Sequence, residues 1–92
     1  MQRLRISDFQ VRILCLIRDS KHDGCSPDSP NSKIALFGKR RGLSVVQRVT
    51  LHRSVRRLVA NEMISDNGCG WCRLTDKGRD WLLANGKRES KK

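Results

Sequence analysis

The chain has 92 residues, with 20 Lys or Arg against nine Asp or Glu, which gives a formal net charge of +11. This length supports one small domain with a single core, and the chain shows neither a signal-peptide pattern nor an apolar run approaching the roughly 18 residues of a membrane span. We therefore expect an intracellular, cytoplasmic protein with mostly reduced cysteines, whose charge favours nucleic acid as a partner ahead of an anionic membrane surface.

The first third of the chain predicts a basic arm, a helix and a loop. Residues 1–6 form the arm, and Ser7 or Asp8 can cap a helix over residues 8–20. This helix contains more apolar residues than one face can bury, so we expect it to lie at the centre of the fold or to be shared with a partner subunit. Gly, Pro, Ser and Asp dominate residues 21–31, which therefore form a loop.

A short second helix is predicted over residues 32–40, with Asn31 or Ser32 as its N-cap. Residues 34–37 supply its expected buried side. Gly38 weakens this helix, and Gly42 ends it beside a basic run at residues 39–41.

The third helix carries the clearest periodic pattern. Ser44 and Gln47 form the Ser-x-x-Gln pattern of a capping box. At about 100° per residue, Leu51, Val55 and Leu58 fall on one apolar stripe, with arginines on the other side. This combination suits the groove of a nucleic-acid duplex, although an ordinary helix with a solvated basic face has the same pattern.

Three valines at the start of this helix, Val45, Val46 and Val49, conflict with that stripe. In one continuous helix from Ser44, the start that we favour, they point away from the stripe and can meet thymine methyl groups or a second subunit. If the helix instead breaks near Thr50, the valines join the core.

The rest of the chain predicts a β-hairpin and a closing helix. Residues 63–66 and 71–75 are strand candidates around the turn signal Asn67-Gly68. Thr75 or Asp76 can cap a helix over residues 76–85, and a charged tail follows at 87–92. Residues 7–86 therefore predict a mostly α, α+β domain: a winged helix-turn-helix with a three-helix core, a two-stranded wing and a closing C-terminal helix. The residues expected to be largely buried are Phe9, Ile13, Leu16, Leu51, Val55, Leu58, Leu74 and Trp81.

Two segments of the second half carry a family resemblance: residues 50–64, TLHRSVRRLVANEMI, and residues 73–79, RLTDKGR. The first resembles the recognition-helix segment T-V-S-R-x-L-R-R-L-E-x-x-G-L-I of MarR- and PadR-type transcriptional regulators. The second resembles the R-L-T-E-K-G-R that joins the wing to the following helix in the same proteins. The resemblance covers residues 7–86, is sharp only from residue 50 onward, and implies a winged helix-turn-helix fold that binds double-stranded DNA.

The chain departs from this family pattern at several places. Glu62 stands where the family has the glycine that ends the recognition helix, so Asn61 is expected to adopt the left-handed cap. The stretch from Ile34 to Thr50 is longer than usual, which predicts a looser connection between the second and third helices, and the wing is short. The terminal dimerisation helices of MarR proteins are not expected here, nor is the ligand pocket beside them, so no small-molecule effector is evident.

The resemblance and the charge pattern together assign a DNA-binding surface to the third helix. Its expected base-reading residues are Gln47, Arg48, Thr50, His52 and Arg53. Gln47 can pair with adenine, and Arg48 and Arg53 can each fork onto guanine. Thr50 and His52 can reach phosphate or base edges, although His52 also fits an ordinary surface histidine. The expected phosphate contacts come from Arg56, Arg57, Arg73, Lys33, Lys39, Arg40 and Arg41.

Cys69 and Cys72 form a C-x-x-C pattern within the predicted hairpin. Such a pattern is typical of half a zinc site or of a redox pair. A zinc site would need two more ligands from Cys15, Cys25, His22 and His52, and the redox motif normally opens a helix. We interpret the two residues as incidental thiols of the wing and expect neither a metal nor a cofactor, with metal binding, redox chemistry and an intermolecular disulfide as the alternatives.

No paired carboxylates, Ser/His/Asp set or phosphate-cradling glycine loop occurs, so no enzyme is expected. We interpret the chain as a sequence-specific double-stranded DNA binder, a small transcriptional regulator that inserts helix 44–61 in the major groove with the 63–75 hairpin as wing. A homodimer is expected, through the first helix with the N-terminal arm, the last helix, or both, because one recognition helix reads too few base pairs to select a site. The alternative is a winged-helix module that docks an acidic protein or RNA in a larger assembly.

Overall fold

The computed structural model describes residues 6–20, 24–39, 42–68 and 70–85. Three helices come first: α1 (Asp8–Arg18), α2 (Pro30–Phe37) and α3 (Val45–Ala60). An antiparallel hairpin of β1 (Ile64–Asp66) and β2 (Cys72–Leu74) follows, and α4 (Asp76–Ala84) closes the domain. The chain is therefore mostly helical α+β, with the elements in the predicted order. Within the described residues, no helix combines the length and apolar character needed to cross a membrane.

Reciprocal capping boxes begin α1 and α3. In α3, the side-chain oxygen of Ser44 accepts a hydrogen bond from the backbone N–H of Gln47 at 3.1 Å, and the Gln47 side chain accepts one from the backbone N–H of Ser44 at 2.9 Å. Ser7 and Gln10 make the same pair of bonds in α1. Each box satisfies two N–H groups that have no partner within the helix. The prediction of one continuous third helix from Ser44 is thereby confirmed.

The second helix begins and ends earlier than the predicted 32–40. Its N-cap is Ser29, not Asn31 or Ser32, and the Ser29 side chain accepts from the backbone N–H of Ser32. Pro30 follows in the first turn, where backbone N–H groups have no acceptor within the helix, so the missing N–H of proline costs no hydrogen bond. Gly38 adopts φ 74°, a left-handed conformation that terminates the helix there and not at Gly42.

The end of α3 differs from the expected cap. Asn61 has φ −86°, whereas Glu62 has φ 61°. The N–H of Glu62 donates to the carbonyl of Val59 at 3.0 Å, and the N–H of Met63 donates to that of Leu58 at 2.9 Å. These two bonds define a Schellman motif with Glu62 as its left-handed residue. The expectation for Asn61 was wrong because this register returns Met63 onto Leu58, and both side chains are fully buried.

Thr75 and Gly78 hold α4 against the chain that leaves α3. The Thr75 side chain accepts from the N–H of Gly78 at 3.0 Å, and its hydroxyl lies 2.5 Å from the carbonyl oxygen of Glu62 and 2.9 Å from that of Met63. A Cβ at Gly78 would lie 2.1 Å from the Met63 carbonyl oxygen. Only glycine permits this approach, which explains the Thr-x-x-Gly spacing within residues 73–79.

One hydrophobic cluster joins the elements, and α1 lies at its centre, in contact with α2, α3, α4 and β2. The buried residues of the cluster are Ile13, Leu14, Ile17, Leu36, Leu51, Leu58, Met63, Ile64, Cys72 and Leu82. Three of the eight residues expected to be buried belong to it. The other five are half-buried and pack around it: Phe9, Leu16, Val55, Leu74 and Trp81. A domain of this size has a small core, here filled mainly by aliphatic side chains, with the larger rings at its edge.

The hairpin is shorter than predicted, with three residues in each strand. Ile64 pairs with Leu74 and Asp66 with Cys72, so residues 67–71 form the connection. The N–H of Asn67 donates to the carbonyl of Trp71 at 3.1 Å. The hairpin is therefore short and lies beside α3, and five residues separate its strands in place of the two that Asn67-Gly68 suggests.

Candidate nucleic-acid interface

The exposed side of α3 is the candidate site. Leu51, Ser54 and Leu58 are the buried residues of this helix, and their spacing of three and four residues turns one side towards the core. At the same helical spacing, the opposite side carries the exposed residues Val45, Val49, Arg53 and Arg56. The helix thus presents valines in its first two turns and arginines further along the same face.

Four arginines give this helix a strong positive charge: Arg48, Arg53, Arg56 and Arg57. All four are exposed, and the helix contains no Asp or Glu. The ion pairs found among the described residues join Arg18 to Asp19 and Lys33 to Asp28, and neither involves α3. Asp28 and Asp66 line the same cleft as His52 and Arg56, but no ion pair among the described residues engages an α3 arginine. The excess of positive charge on this face favours an anionic partner.

The three other expected site residues on α3 differ in their availability. Thr50 and His52 are exposed. Gln47 is half-buried, and its side-chain oxygen accepts the hydrogen bond from Ser44 that closes the capping box. Bidentate pairing with adenine uses both the oxygen and the NH₂ group of an amide. Gln47 therefore has one of these two groups already engaged in holding the first turn of the helix.

The expected phosphate contacts outside α3 are dispersed. Arg73 is exposed on β2, opposite Ser65, and Lys39 is exposed after α2. Lys33 is half-buried, and its Nζ lies 3.5 Å from a carboxylate oxygen of Asp28, which partly neutralises its charge. Arg40 and Arg41 lie outside the described residues. Of the candidates, the α3 group forms a contiguous surface, and Arg73 extends the positive charge to the wing.

Three valines that the sequence placed either on the exposed face or in the core form part of the same surface. The exposed fraction is 75% for Val45, 73% for Val46 and 42% for Val49. The continuous helix excludes them from the core, which removes one of the alternatives that periodicity left open. The capping box at Ser44 was the signal for this arrangement, because it places all three valines within the helix.

The backbone of Cys72, the second cysteine of the C-x-x-C pattern, forms a β-bridge with the backbone of Cys25, which precedes α2. Reciprocal backbone hydrogen bonds of 2.9 and 2.8 Å join the two residues and add a single bridge at the edge of β2. Both thiols are free, whereas Cys69 lies outside the described residues. Burial, assisted by the charges of Asp66 and Cys25, raises the pKa of Cys72 to about 11, and burial also raises the pKa of Cys25. Such thiols are poor nucleophiles at neutral pH.

The described residues contain no cluster of three or more His, Cys, Asp or Glu side chains that could hold a metal ion. The backbone bridge between Cys25 and Cys72 links the loop before α2 to the hairpin.

No protein-family model matches the chain, and no curated protein or solved structure gives a significant match.

Proposed function

We propose that the chain is a sequence-specific double-stranded DNA-binding protein of the winged helix-turn-helix type, acting as a small transcriptional regulator. The order of three helices, a hairpin and a closing helix is compatible with a winged helix, with β1 and β2 as the wing. The resemblance of residues 50–64 and 73–79 to MarR- and PadR-type regulators supports the same proposal.

The observation that carries the proposal is the exposed, arginine-rich face of a well-anchored helix that itself contains no Asp or Glu. The major groove of B-DNA is about 12 Å wide and admits one α-helix with its side chains. Leu51, Ser54 and Leu58 fix α3 to the core, so that Arg53 and Arg56 project away from the body of the domain. A rigid helix with this charge can enter the groove without reorganisation of the protein.

Different residues are proposed for base and phosphate contacts. Arg48 and Arg53 lie in the first two-thirds of α3, where a forked guanidinium can bind O6 and N7 of guanine. Arg56, Arg57 and Arg73 suit backbone phosphates, which fix the register of the protein on the duplex. Lys39 and the exposed Thr50 and His52 supply further polar contacts at the edge of the groove.

A homodimer is part of the proposal, since one such helix reads only a few base pairs. The core uses the apolar surface of α1, where Leu14 is fully buried. In α4, Leu82 is buried and Trp81 half-buried, whereas Leu83 is 65% exposed. We therefore propose α4 as the contact between protomers.

Duplex binding with a salt titration tests the proposal. The logarithm of the association constant should fall linearly with the logarithm of salt concentration, with a slope of about −0.9 per phosphate contacted. Arg53→Ala should weaken preferred sites by roughly 1–3 kcal/mol and relax base choice, whereas Arg73→Ala should weaken all sequences similarly and make the salt slope shallower.

Lys77→Ala is the control for these variants, because it also removes an exposed positive side chain, here from α4. Unchanged affinity and base preference in Arg53→Ala would refute the assignment of α3 as the reading helix. Binding to RNA or to an acidic protein without any duplex preference would instead support an interaction module.

A further inference from the structure

We infer that Val45, Val46 and Val49 recognise the 5-methyl groups of thymine, so that the first turns of α3 select A·T pairs in the major groove. This inference rests on the proposed DNA binding and adds a base preference to it. The arginines of α3 then contact guanine and phosphate, and the valines contact the neighbouring A·T base pairs.

The position of the valines matches a groove-facing role. Val45 and Val49 lie on the same outward side of α3 as Arg53, at steps of four residues. Each step advances about 6 Å along a helix, a distance comparable to about two base pairs at 3.4 Å each. A groove that receives Arg53 therefore receives Val49 and Val45 as well. Val46 adjoins them in the first turn.

The chemistry of valine restricts what it can read. A valine side chain has no hydrogen-bond donor or acceptor, so it cannot distinguish the polar groups of the bases. Among the groups that the four bases display in the major groove, the 5-methyl of thymine is the apolar one. Removing one methyl group from water strengthens binding by about fourfold. Three exposed valines can thus favour thymine-rich positions without any hydrogen bond.

The charge of α3 favours DNA over a second copy of the chain as the partner of the valines. In a twofold contact the same surface of each protomer faces its mate. Such a contact through this face would bring the four arginines of each α3 towards those of the other, with no acidic residue on either helix. A DNA groove instead places phosphates on both sides of the helix. The charge complementarity therefore favours DNA as the partner of the three valines.

The first turn of α3 is also well ordered for this role. The capping box between Ser44 and Gln47 fixes the backbone of the residues that carry Val45 and Val46. A segment whose backbone is already fixed loses little conformational freedom on binding, and a valine side chain has few rotamers to lose.

The test uses a duplex selected from a random pool, in which each thymine is replaced in turn by deoxyuridine. This replacement removes the 5-methyl group and keeps base pairing and all hydrogen-bonding groups. The wild-type protein should bind the thymine duplex about fourfold more tightly for each methyl contacted. In Val45→Ala, Val46→Ala or Val49→Ala the ratio at the contacted position should fall towards one.

Ile34→Ala is the matched control, since it shortens another exposed apolar side chain, on α2. It should keep the wild-type thymine-to-deoxyuridine ratio whatever its effect on overall affinity. Circular dichroism checks that each variant is folded, which we expect because the valines are exposed and alanine favours a helix.

Three outcomes would overturn the inference. If the wild type binds thymine and deoxyuridine duplexes equally while Arg53→Ala still weakens a preferred site, the valines do not read methyl groups and the proposed function survives. If valine variants change the sedimentation coefficient but not the ratio, the patch joins two copies of the chain. If no duplex is preferred over another, both the inference and the proposed function fail.

Discussion

Glu62 shapes the junction between α3 and the wing through its backbone conformation. Its φ of 61° lies in the left-handed region, where a Cβ crowds the following carbonyl. The conformation is maintained because the Schellman bonds place Met63 over Leu58 within the core. A single exposed residue thus carries local strain that buried packing offsets.

Replacement of Glu62 by glycine should therefore stabilise the protein. Relief of the left-handed strain should raise the free energy of unfolding by about 1–2 kcal/mol. The greater conformational freedom of glycine in the unfolded chain should lower it by about 0.4–1 kcal/mol. We expect a net gain of roughly 0.5–1 kcal/mol, measured as a shift of the urea unfolding midpoint. Glu62→Ala removes the same carboxylate but keeps a Cβ, so it should give no such gain. Equal effects of the two substitutions would contradict this account.

Cys72 predicts a pH dependence of stability. Its pKa in the folded protein, about 11, lies above the ordinary value of 9.0, so the folded state favours the protonated thiol. The resulting stabilisation is complete below pH 9 and is lost as the pH rises towards 11.

Comparison with Cys72→Ala isolates this contribution from the titration of lysines. The alanine variant is less stable at neutral pH because it leaves a cavity, but its free energy of unfolding should fall less steeply between pH 9 and pH 11. The measurement is urea unfolding at a series of pH values under reducing conditions. Parallel curves for the two proteins would show that the thiol does not titrate in the expected way.

At the scale of elements, the contact between α4 and the end of α3 depends on backbone proximity. Gly78 is buried within α4, and the Met63 carbonyl occupies the space that a side chain would take. Thr75 joins the same two segments through its hydroxyl. The wing strands start and end at this junction, so its geometry sets the direction in which the wing leaves the core.

Gly78→Ala should accordingly destabilise the domain. Helix propensity alone predicts a gain of about 1 kcal/mol for this change, but the added Cβ overlaps a backbone oxygen and must displace α4, at a cost of about 1–3 kcal/mol or more. Lys77→Ala, at the exposed neighbouring position, should change stability by less than about 0.5 kcal/mol. Thermal unfolding of both variants measures whether each substitution raises or lowers stability. A Gly78→Ala variant more stable than the wild type would show that α4 does not approach Met63 closely.

For the whole molecule, charge and exposed apolar surface lie on different helices, which suits DNA binding by α3 and contact between protomers by α4. The α3 face carries arginines without acidic neighbours on the helix, whereas α4 carries the exposed Leu83. A dimer through α4 would leave both α3 helices free to meet half-sites about 34–36 Å apart along a duplex.

We expect sedimentation at micromolar concentration, with reductant present, to show a dimer that Leu83→Glu dissociates. The substitution places a charge in an apolar contact, which disfavours association, while the exposed position leaves the fold intact. Leu83→Met serves as the control and should remain dimeric. A wild-type protein that is monomeric both free and on DNA would refute the dimer, and would favour a module to which a larger assembly supplies specificity.

Much of the fold followed from signals that act over a few residues. Ser44 and Gln47 predicted where α3 begins, and Thr75 predicted where α4 begins, because a cap bonds to N–H groups within the next turn. The spacing of Leu51 and Leu58 predicted which side of α3 faces the core, and hence that Arg53 and Arg56 are exposed. This much of the candidate site could be derived from periodicity alone.

The tertiary structure decided the features that join residues far apart in the chain. The left-handed turn falls on Glu62 because Met63 must return to the core, and Gly78 is required because α4 crosses the Met63 carbonyl. The bridge from Cys25 to Cys72 depends equally on packing. Local patterns specify helix ends and faces, whereas the free energy of burying distant segments together selects among the alternatives that those patterns leave open.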